Sequence, residues 1–257
     1  MHKIGLMGFG RAGKAVANVI LQHPDFSLDF VIRKGLKQEY YSVRDFIGVE
    51  TDDPALIYSM EHIDIDTFLD DHHVDFIIDF SSEESIFYYG ESAADRHIKL
   101  ISAISHYDEN TIQFLKRLSQ KTVMFWSPNI TLGVNFLILA GKILRKIAPW
   151  ADVEIVEEHF KLKKGVSGTA LKIAETLHLD DEQINSIRVG GIVGRHEVIF
   201  GFPYQTVRLI HESVSREAFG NGALFVASHL TDKETGYYSF EDLLGPYFQG
   251  NENDVLS

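Results

Sequence analysis

Apolar and polar residues along the first 126 positions alternate between two rhythms. Ile4–Met7 is a short, continuous apolar run, and Ala12, Ala15, Val16, Val19 and Ile20 then recur at i, i+3, i+4, i+7 and i+8, which is one face of a helix. Further apolar runs at Leu28–Ile32, Val74–Phe80, Leu100–Ile104 and Val123–Trp126 predict more strands. Strands that are apolar almost throughout predict a parallel sheet covered on both faces.

After Ser127 the pattern changes. A long helix is predicted over Val134–Ile147, through Leu137, Ala140, Gly141 and Leu144. Val153–Glu158, Ser186–Val189, Glu197–Phe200 and Thr206–Ile210 then alternate as half-buried strands. The last two flank Gly201-Phe202-Pro203-Tyr204, a turn signal for an antiparallel hairpin, and a helix at Thr169–Leu177 separates the first two. The helical pattern returns at Ala218–Leu230, a tail predicted to pack back on the first domain. The expected class is α/β: a domain over residues 1–127 completed by 216–257, and an α+β domain with a mixed open sheet over 128–215.

Composition narrows the partners. Across 257 residues, 24 Lys and Arg face 37 Asp and Glu, a net charge of −13, which repels nucleic-acid phosphates and anionic lipid. Without cysteine there is no disulfide, thiolate nucleophile or zinc ribbon. MHKIGLMGFG enters a strand directly and resembles no signal peptide, and no apolar run reaches the ~18 residues of a membrane span. These features predict a cytoplasmic protein with neither nucleic-acid nor membrane partners. Asp70-Asp71-His72-His73 reads as a solvated loop before a strand, and in the absence of H-E-x-x-H or similar spacing no metal is expected. His196 and His211 read as sheet residues.

Two segments carry chemistry. Gly8-Phe9-Gly10-Arg11-Ala12-Gly13 is G-x-G-x-x-G between the first strand and first helix, the dinucleotide fingerprint of a Rossmann-type sheet. Gly8 makes the tight turn, Gly10 lets backbone approach a pyrophosphate, and Gly13 lets helix and strand pack closely. The second strand ends in Arg33-Lys34 where an acid would grip the ribose of NAD, so the cofactor is NADPH or NADH, with NADPH favoured. Further on, Glu157-Glu158-His159-Phe160-Lys161-Leu162-Lys163-Lys164-Gly165-Val166-Ser167-Gly168-Thr169 runs from a strand through a loop into a helix. One imidazole and three ammonium groups thus stand beside a helix amino end suited to a carboxylate.

With these blocks the sequence resembles the dihydrodipicolinate (4-hydroxy-tetrahydrodipicolinate) reductase family along most of its length. The resemblance rests on Gly8–Gly13, Asp79-Phe80-Ser81, Ser127-Pro128-Asn129, Leu132-Gly133-Val134-Asn135, Glu157–His159, Ser167-Gly168-Thr169-Ala170, Gly191–Gly194 with His196-Glu197-Val198, and Ser215-Arg216 with Asn221-Gly222-Ala223. It implies a reductase of a cyclic unsaturated imine dicarboxylate in lysine and diaminopimelate biosynthesis, with a nucleotide domain and a substrate domain that builds a homotetramer. It implies catalytic roles for His159 and Lys163, and substrate contacts from Ser167, Gly168, Thr169 and the position of Phe160. It also implies cofactor contacts from Gly8, Phe9, Gly10, Arg11, Ala12, Gly13, Arg33, Lys34, Phe80, Ser102, Ala103, Ile104, Ser127, Pro128 and Asn129.

The chain departs from the family's H-H-x-x-K-x-D-A-P-S-G-T. Phe160 replaces the second histidine, Asp-Ala-Pro is missing, and the loop is one residue shorter. Counting back from Ser167 aligns Lys161 or Leu162 instead of Lys163, so the choice among Lys161, Lys163 and Lys164 stays open. Ser102-Ala103-Ile104-Ser105 replaces Gly-Thr-Thr-Gly. Two other readings therefore stand beside the first: a non-catalytic nucleotide-binding paralogue, and a reductase of another small cyclic imine or keto acid.

Overall fold

The computed structural model describes residues 1–53 and 55–248. The chain divides into two compact units, Met1–Ile130 with the segment from Phe219 onward, and Thr131–Ala218.

The first unit opens with β1 (His2–Met7), α1 (Arg11–Leu21), β2 (Phe26–Arg33), α2 (Val43–Ile47), β3 (Leu56–Ser59) and α3 (Ile65–Asp71). It continues with β4 (Phe76–Asp79), α4 (Ser85–Asp95), β5 (Lys99–Ser102), α5 (Glu109–Leu118) and β6 (Val123–Trp126). The second contains α6 (Leu132–Ile147), β7 (Asp152–His159), α7 (Gly168–Leu177), β8 (Ile184–Arg188), β9 (Gly194–Phe202) and β10 (Gln205–Ser213). The chain then returns through α8 (Glu217–Leu230), β11 (Gly236–Tyr238) and α9 (Phe240–Phe248).

The first unit is a seven-stranded sheet in the order β11-β6-β5-β4-β1-β2-β3, parallel at every pairing. The chain order reverses between β1 and β4, and in such a sheet ligands bind beyond the carboxyl ends of the strands at the reversal. The apolar continuity of β1, β4 and β5 has its physical counterpart in their burial: Ile4, Leu6, Met7, Ile77, Ile78 and Leu100 are fully buried. The returning tail closes on this unit as expected. A Cβ on Gly220 of α8 would lie 2.7 Å from Val19 Cβ of α1, so the two helices touch backbone to side chain. The part of the predicted tail from residue 249 to 257 lies outside the described residues.

The second unit is a four-stranded sheet, β10-β9-β7-β8, in which only β7 and β8 run parallel, joined through α7. Val153, Ile155, Val198 and Phe200 of one sheet face pack with Leu137 of α6 and Ala170, Ile173, Ala174 and Leu177 of α7. The β9–β10 hairpin is longer than its apolar alternation predicts. Its turn narrows to Pro203-Tyr204, with Tyr204 at φ 68°, and charged residues Arg195 and Glu212 carry the strands past the apolar stretch. β3 and β11 lacked a sequence signal because they are three- or four-residue edge strands.

Asp70, Asp71 and His73 are exposed, as the solvated reading expects, but the first two end α3 instead of lying in a loop and His72 is half-buried. Asp70 belongs to α3 and binds Arg96, while His72 Nδ1 lies 2.8 Å from Asp29 Oδ2 and its ring stacks on Phe68. Among the described residues no group of three or more His, Asp or Glu is arranged to hold a metal, and no helix is long and apolar enough to cross a membrane.

The carboxyl end of β4 carries a fully buried carboxylate. Asp79 accepts hydrogen bonds from the Ser81 amide (2.8 Å), the Ser81 hydroxyl and the Tyr89 hydroxyl (2.8 Å). Burial outweighs these donors and raises its pKa from 3.8 to about 6. The folded state thus holds this proton more tightly than the unfolded chain, so the associated stability is full below about pH 4 and is lost as pH rises through about 6. We expect Asp79→Asn to match the wild type in urea denaturation near pH 4 and to exceed it by about 3 kcal/mol near pH 7.5. A pH-independent difference between the two would refute the assignment.

Candidate functional site

The fingerprint glycines each answer a measurable constraint. Gly8 adopts φ +94°, and a Cβ there would lie 2.8 Å from the Phe80 carbonyl. A Cβ on Gly13 would sit 2.2 Å from Gly8 O, which no side chain tolerates. Gly10 meets nothing within 4 Å of its would-be Cβ. Its constraint is open space, where a ligand's pyrophosphate could approach the backbone. Gly10 is also the N-cap of α1 and offers no side-chain cap, so the first amides of an eleven-residue helix point at that space.

A cleft of about 500 Å³ lies at the sheet's reversal point, lined by Ala12, Phe80, Ser81, Ser82, Glu83, Glu84, Ala103, Ile104 and Ser105. Ala12, Phe80, Ala103 and Ile104 were expected there. Ser81 to Glu84 and Ser105 were missed, although they directly continue the Asp79-Phe80 and Ser102–Ile104 strand ends. The residues present fit a dinucleotide: an open glycine backbone, an uncapped helix and a cleft at the switch point.

Other predicted cofactor residues are placed differently. Phe9 is buried with its ring 5.5 Å from that of Phe46, so it offers only backbone. Arg11 is exposed on the first turn of α1. The Ser102 hydroxyl is fully buried and pairs with Tyr107 Oη at 2.8 Å, away from the cleft lining. Ser127 closes its own loop, its hydroxyl donating to Asn129 O at 2.6 Å across Pro128. Arg33 Nη1 donates to Lys37 O (3.1 Å) and Gln38 Oε1 (3.0 Å), which anchors the loop after β2, while Lys34 is exposed.

In the second unit the predicted residues converge. His159 ends β7, with Nδ1 2.5 Å from Glu157 Oε2. Glu157 and His159 share a strand face because they are two residues apart. The other Glu157 oxygen accepts from the Ser167 amide (3.2 Å) and the Ser186 hydroxyl (2.6 Å). Arg188, opposite His159 on β8, closes a two-pronged pair on the same carboxylate. Burial alone would raise the Glu157 carboxyl; the Arg188 guanidinium, with Ser186, His159 and Ser167, instead brings it down to about 2.

Ser167 stands as the N-cap of α7, but its hydroxyl turns to His196 Nε2 (3.0 Å) instead of onto the helix. Gly168, the first helical residue, has nothing within 4 Å of its would-be Cβ, and Thr169 follows half-buried. The amino end of α7 therefore presents main-chain donors beside His159, as a carboxylate requires. Phe160 is 42% exposed at the start of the loop.

Burial pulls His159 below the usual imidazole range despite Glu157, and the Lys163 charge pulls it further. Burial takes His196 down to about 3, with His159, His211 and Lys163 adding to it. The Lys163 ammonium thus acts on both rings. His196 was read as a sheet residue; it is one, yet it also holds Ser167. No motif spacing links positions 29 residues apart, and only the pairing of β7 with β9 brings them together.

The chain matches known proteins along its length. Residues 2–130 match the model for the dihydrodipicolinate reductase N-terminus, and residues 130–244 that for its C-terminus. The 4-hydroxy-tetrahydrodipicolinate reductase of Caldanaerobacter subterraneus subsp. tengcongensis is 32% identical, over 91% of this chain and 94% of the relative. That of Burkholderia thailandensis is 28% identical over 95% and 98%. A dipicolinate-bound dihydrodipicolinate reductase from Paenisporosarcina sp. TG-14 shares the fold with a TM-score of 0.76 at 16% identity, covering 95% of this chain and 99% of that one. Both halves of the sequence match in order and both sheets recur in the same fold, so this chain belongs to the dihydrodipicolinate reductase family.

Proposed function

We propose that the protein reduces 4-hydroxy-tetrahydrodipicolinate to tetrahydrodipicolinate with NAD(P)H, in the cytoplasm, as a step of lysine and diaminopimelate biosynthesis. The observation that carries this reading is the convergence of His159, Lys163 and the open amino end of α7 within one unit of a family member. A small dicarboxylate needs such a receptor: main-chain donors for one carboxylate and a cation beside the ring.

In this reading Gly8, Gly10, Gly13 and the first turn of α1 hold the cofactor's pyrophosphate, and Phe80, Ala103 and Ile104 border its ring. Bound NAD(P)H supplies a hydride. Gly168 and Thr169 bind and orient the substrate carboxylate, assisted by Ser167. The substrate's 4-hydroxyl leaves as water to give a conjugated C=C–C=N ring; once hydride has added to that system, Lys163 delivers the proton to the adjacent ring carbon, and His159 fixes the ring beside it. The alternative of a cofactor binder without this activity, or a reductase of another cyclic imine, draws on Phe160, which cannot donate the hydrogen bond a histidine would.

NADPH oxidation in the presence of freshly generated pathway intermediate should be rapid with the wild type. Lys163→Ala should lower kcat by about 10²–10⁴-fold with a far smaller change in KM. Cofactor binding without oxidation would favour the alternative, and an unchanged kcat would move proton delivery to another group.

The absence of an acid at the end of β2, with Arg33 and Lys34 there instead, favours NADPH. KM for NADPH should be lower than for NADH, and Lys34→Glu should erase the difference; a lower KM for NADH in the wild type would remove the argument.

The proposed assembly is a homotetramer through the open face of the second sheet. That face carries exposed Ile187 and Ile210 beside the ion pairs joining Glu158, Arg195, Glu197 and Arg208. Sedimentation equilibrium should give about four times the 29.1 kDa chain mass, and a monomer would refute it.

A further inference from the structure

The buried carboxylate under the substrate site is not itself placed to touch substrate, yet it binds more of the site than any other group described. Its two oxygens receive His159, Ser167, Ser186 and both prongs of Arg188. Arg188 reaches further: Nε donates to Lys163 O (3.2 Å) and Nη2 to Gly165 O (2.6 Å). Two carbonyls of the 160–167 loop are thereby tied to β8, at the point where the family's Asp-Ala-Pro is missing. Nearer the start of the loop Lys161 N donates to Gly190 O (3.1 Å) and Lys163 N to Phe160 O (3.0 Å), while the turn at Gly165, with φ +65°, is held through its carbonyl by Arg188.

We propose that Glu157 and Arg188 are the positioning residues of this site: Arg188 keeps Glu157 ionised and clips the loop to β8, and Glu157 holds His159 with its proton on Nδ1 and a lone pair on Nε2. This deepens the reductase reading and rests on it for the word positioning. The tautomer follows from elementary bonding. A carboxylate gripped by a guanidinium can only accept, so the ring nitrogen 2.5 Å away must carry the proton. The groups facing His159 are Glu157 on its own strand, Arg188 from β8, Lys163 from the loop and His196 from β9. The only anion among them is already on the Nδ1 side. His159 is therefore neutral at neutral pH, and its Nε2 accepts.

Gly194 supports the same assignment. A Cβ there would come within 3.1 Å of His159 Nε2, so no side chain at this position stands between β9 and that nitrogen. An acceptor nitrogen there suits a substrate that presents a hydrogen-bond donor to it. The ring proton must then come from Lys163, whose loop Arg188 holds in place.

Long-range 1H–15N spectra of the ligand-free, histidine-labelled full chain test the proposal directly. At pH 7.5 the wild-type His159 should show a neutral ring protonated on Nδ1. In Glu157→Gln the Nδ1 form should lose its dominance and kcat should fall about a hundredfold, while KM for NADPH changes less than about twofold. Arg188→Lys, which keeps the charge but not the fork, should retain more activity than Arg188→Met. A wild-type ring protonated on Nε2, or an unchanged ring and kcat in Glu157→Gln, overturns the proposal. The wild-type spectrum decides the tautomer even if a variant does not fold. Failure of the wild type to oxidise NADPH with the substrate would refute the proposed reaction and leave the tautomer result intact.

Discussion

A buried carboxylate survives only when its lone pairs are met, and the substrate unit is organised around meeting those of Glu157. The donors come from β7 itself, from β8 and from the N-cap of α7, so one anion ties three segments of the unit together. Loss of one member of such a pair leaves the other charge buried and uncompensated, a cost of about 3–5 kcal/mol. The arrangement is thus a poor source of net stability and a strong source of specificity: the loop has one place in which all these donors are satisfied together.

The nucleotide unit solves a related problem without a charge. At its reversal point Gly8 and Gly13 bring backbone against backbone, and the uncapped end of α1 is left facing open space. Elsewhere in that unit Ser42, Asp64 and Asp108 turn their side chains onto the first turns of α2, α3 and α5. The contrast has a physical sense, because a capped helix end has already used the donors an anion would need. In α7 the cap residue is present but its hydroxyl is drawn away by His196, which achieves the same opening with a serine.

The parallel sheet was legible in the sequence because its strands are apolar on both faces, and the glycine motif fell between the first strand and helix as its spacing required. The second sheet was legible in outline only; its strand ends are hidden by charged residues such as Arg195, which pairs with Glu158 and Glu197 on the open face. Local motifs gave His159, Lys163 and Ser167-Gly168-Thr169. They could not give Arg188, His196 or Gly194, whose roles exist only through strand pairing. Ser102, for which the resemblance implies a cofactor contact, turns its hydroxyl to Tyr107, because side chains alternate along a strand.

The returning segment has a consequence for how the protein is made. Synthesis delivers β6 long before β11 pairs with it, and Val19 of α1 long before Gly220 covers it. During that interval the ribosome-bound chain carries an unpaired strand edge and an uncovered apolar helix face, the features that invite aggregation. The interposed stretch Thr131–Ala218 is a compact unit of its own and separates the two parts of the first unit along the chain. Pairing of β11 with β6, not emergence of the first domain, is the event that completes the seven-stranded sheet.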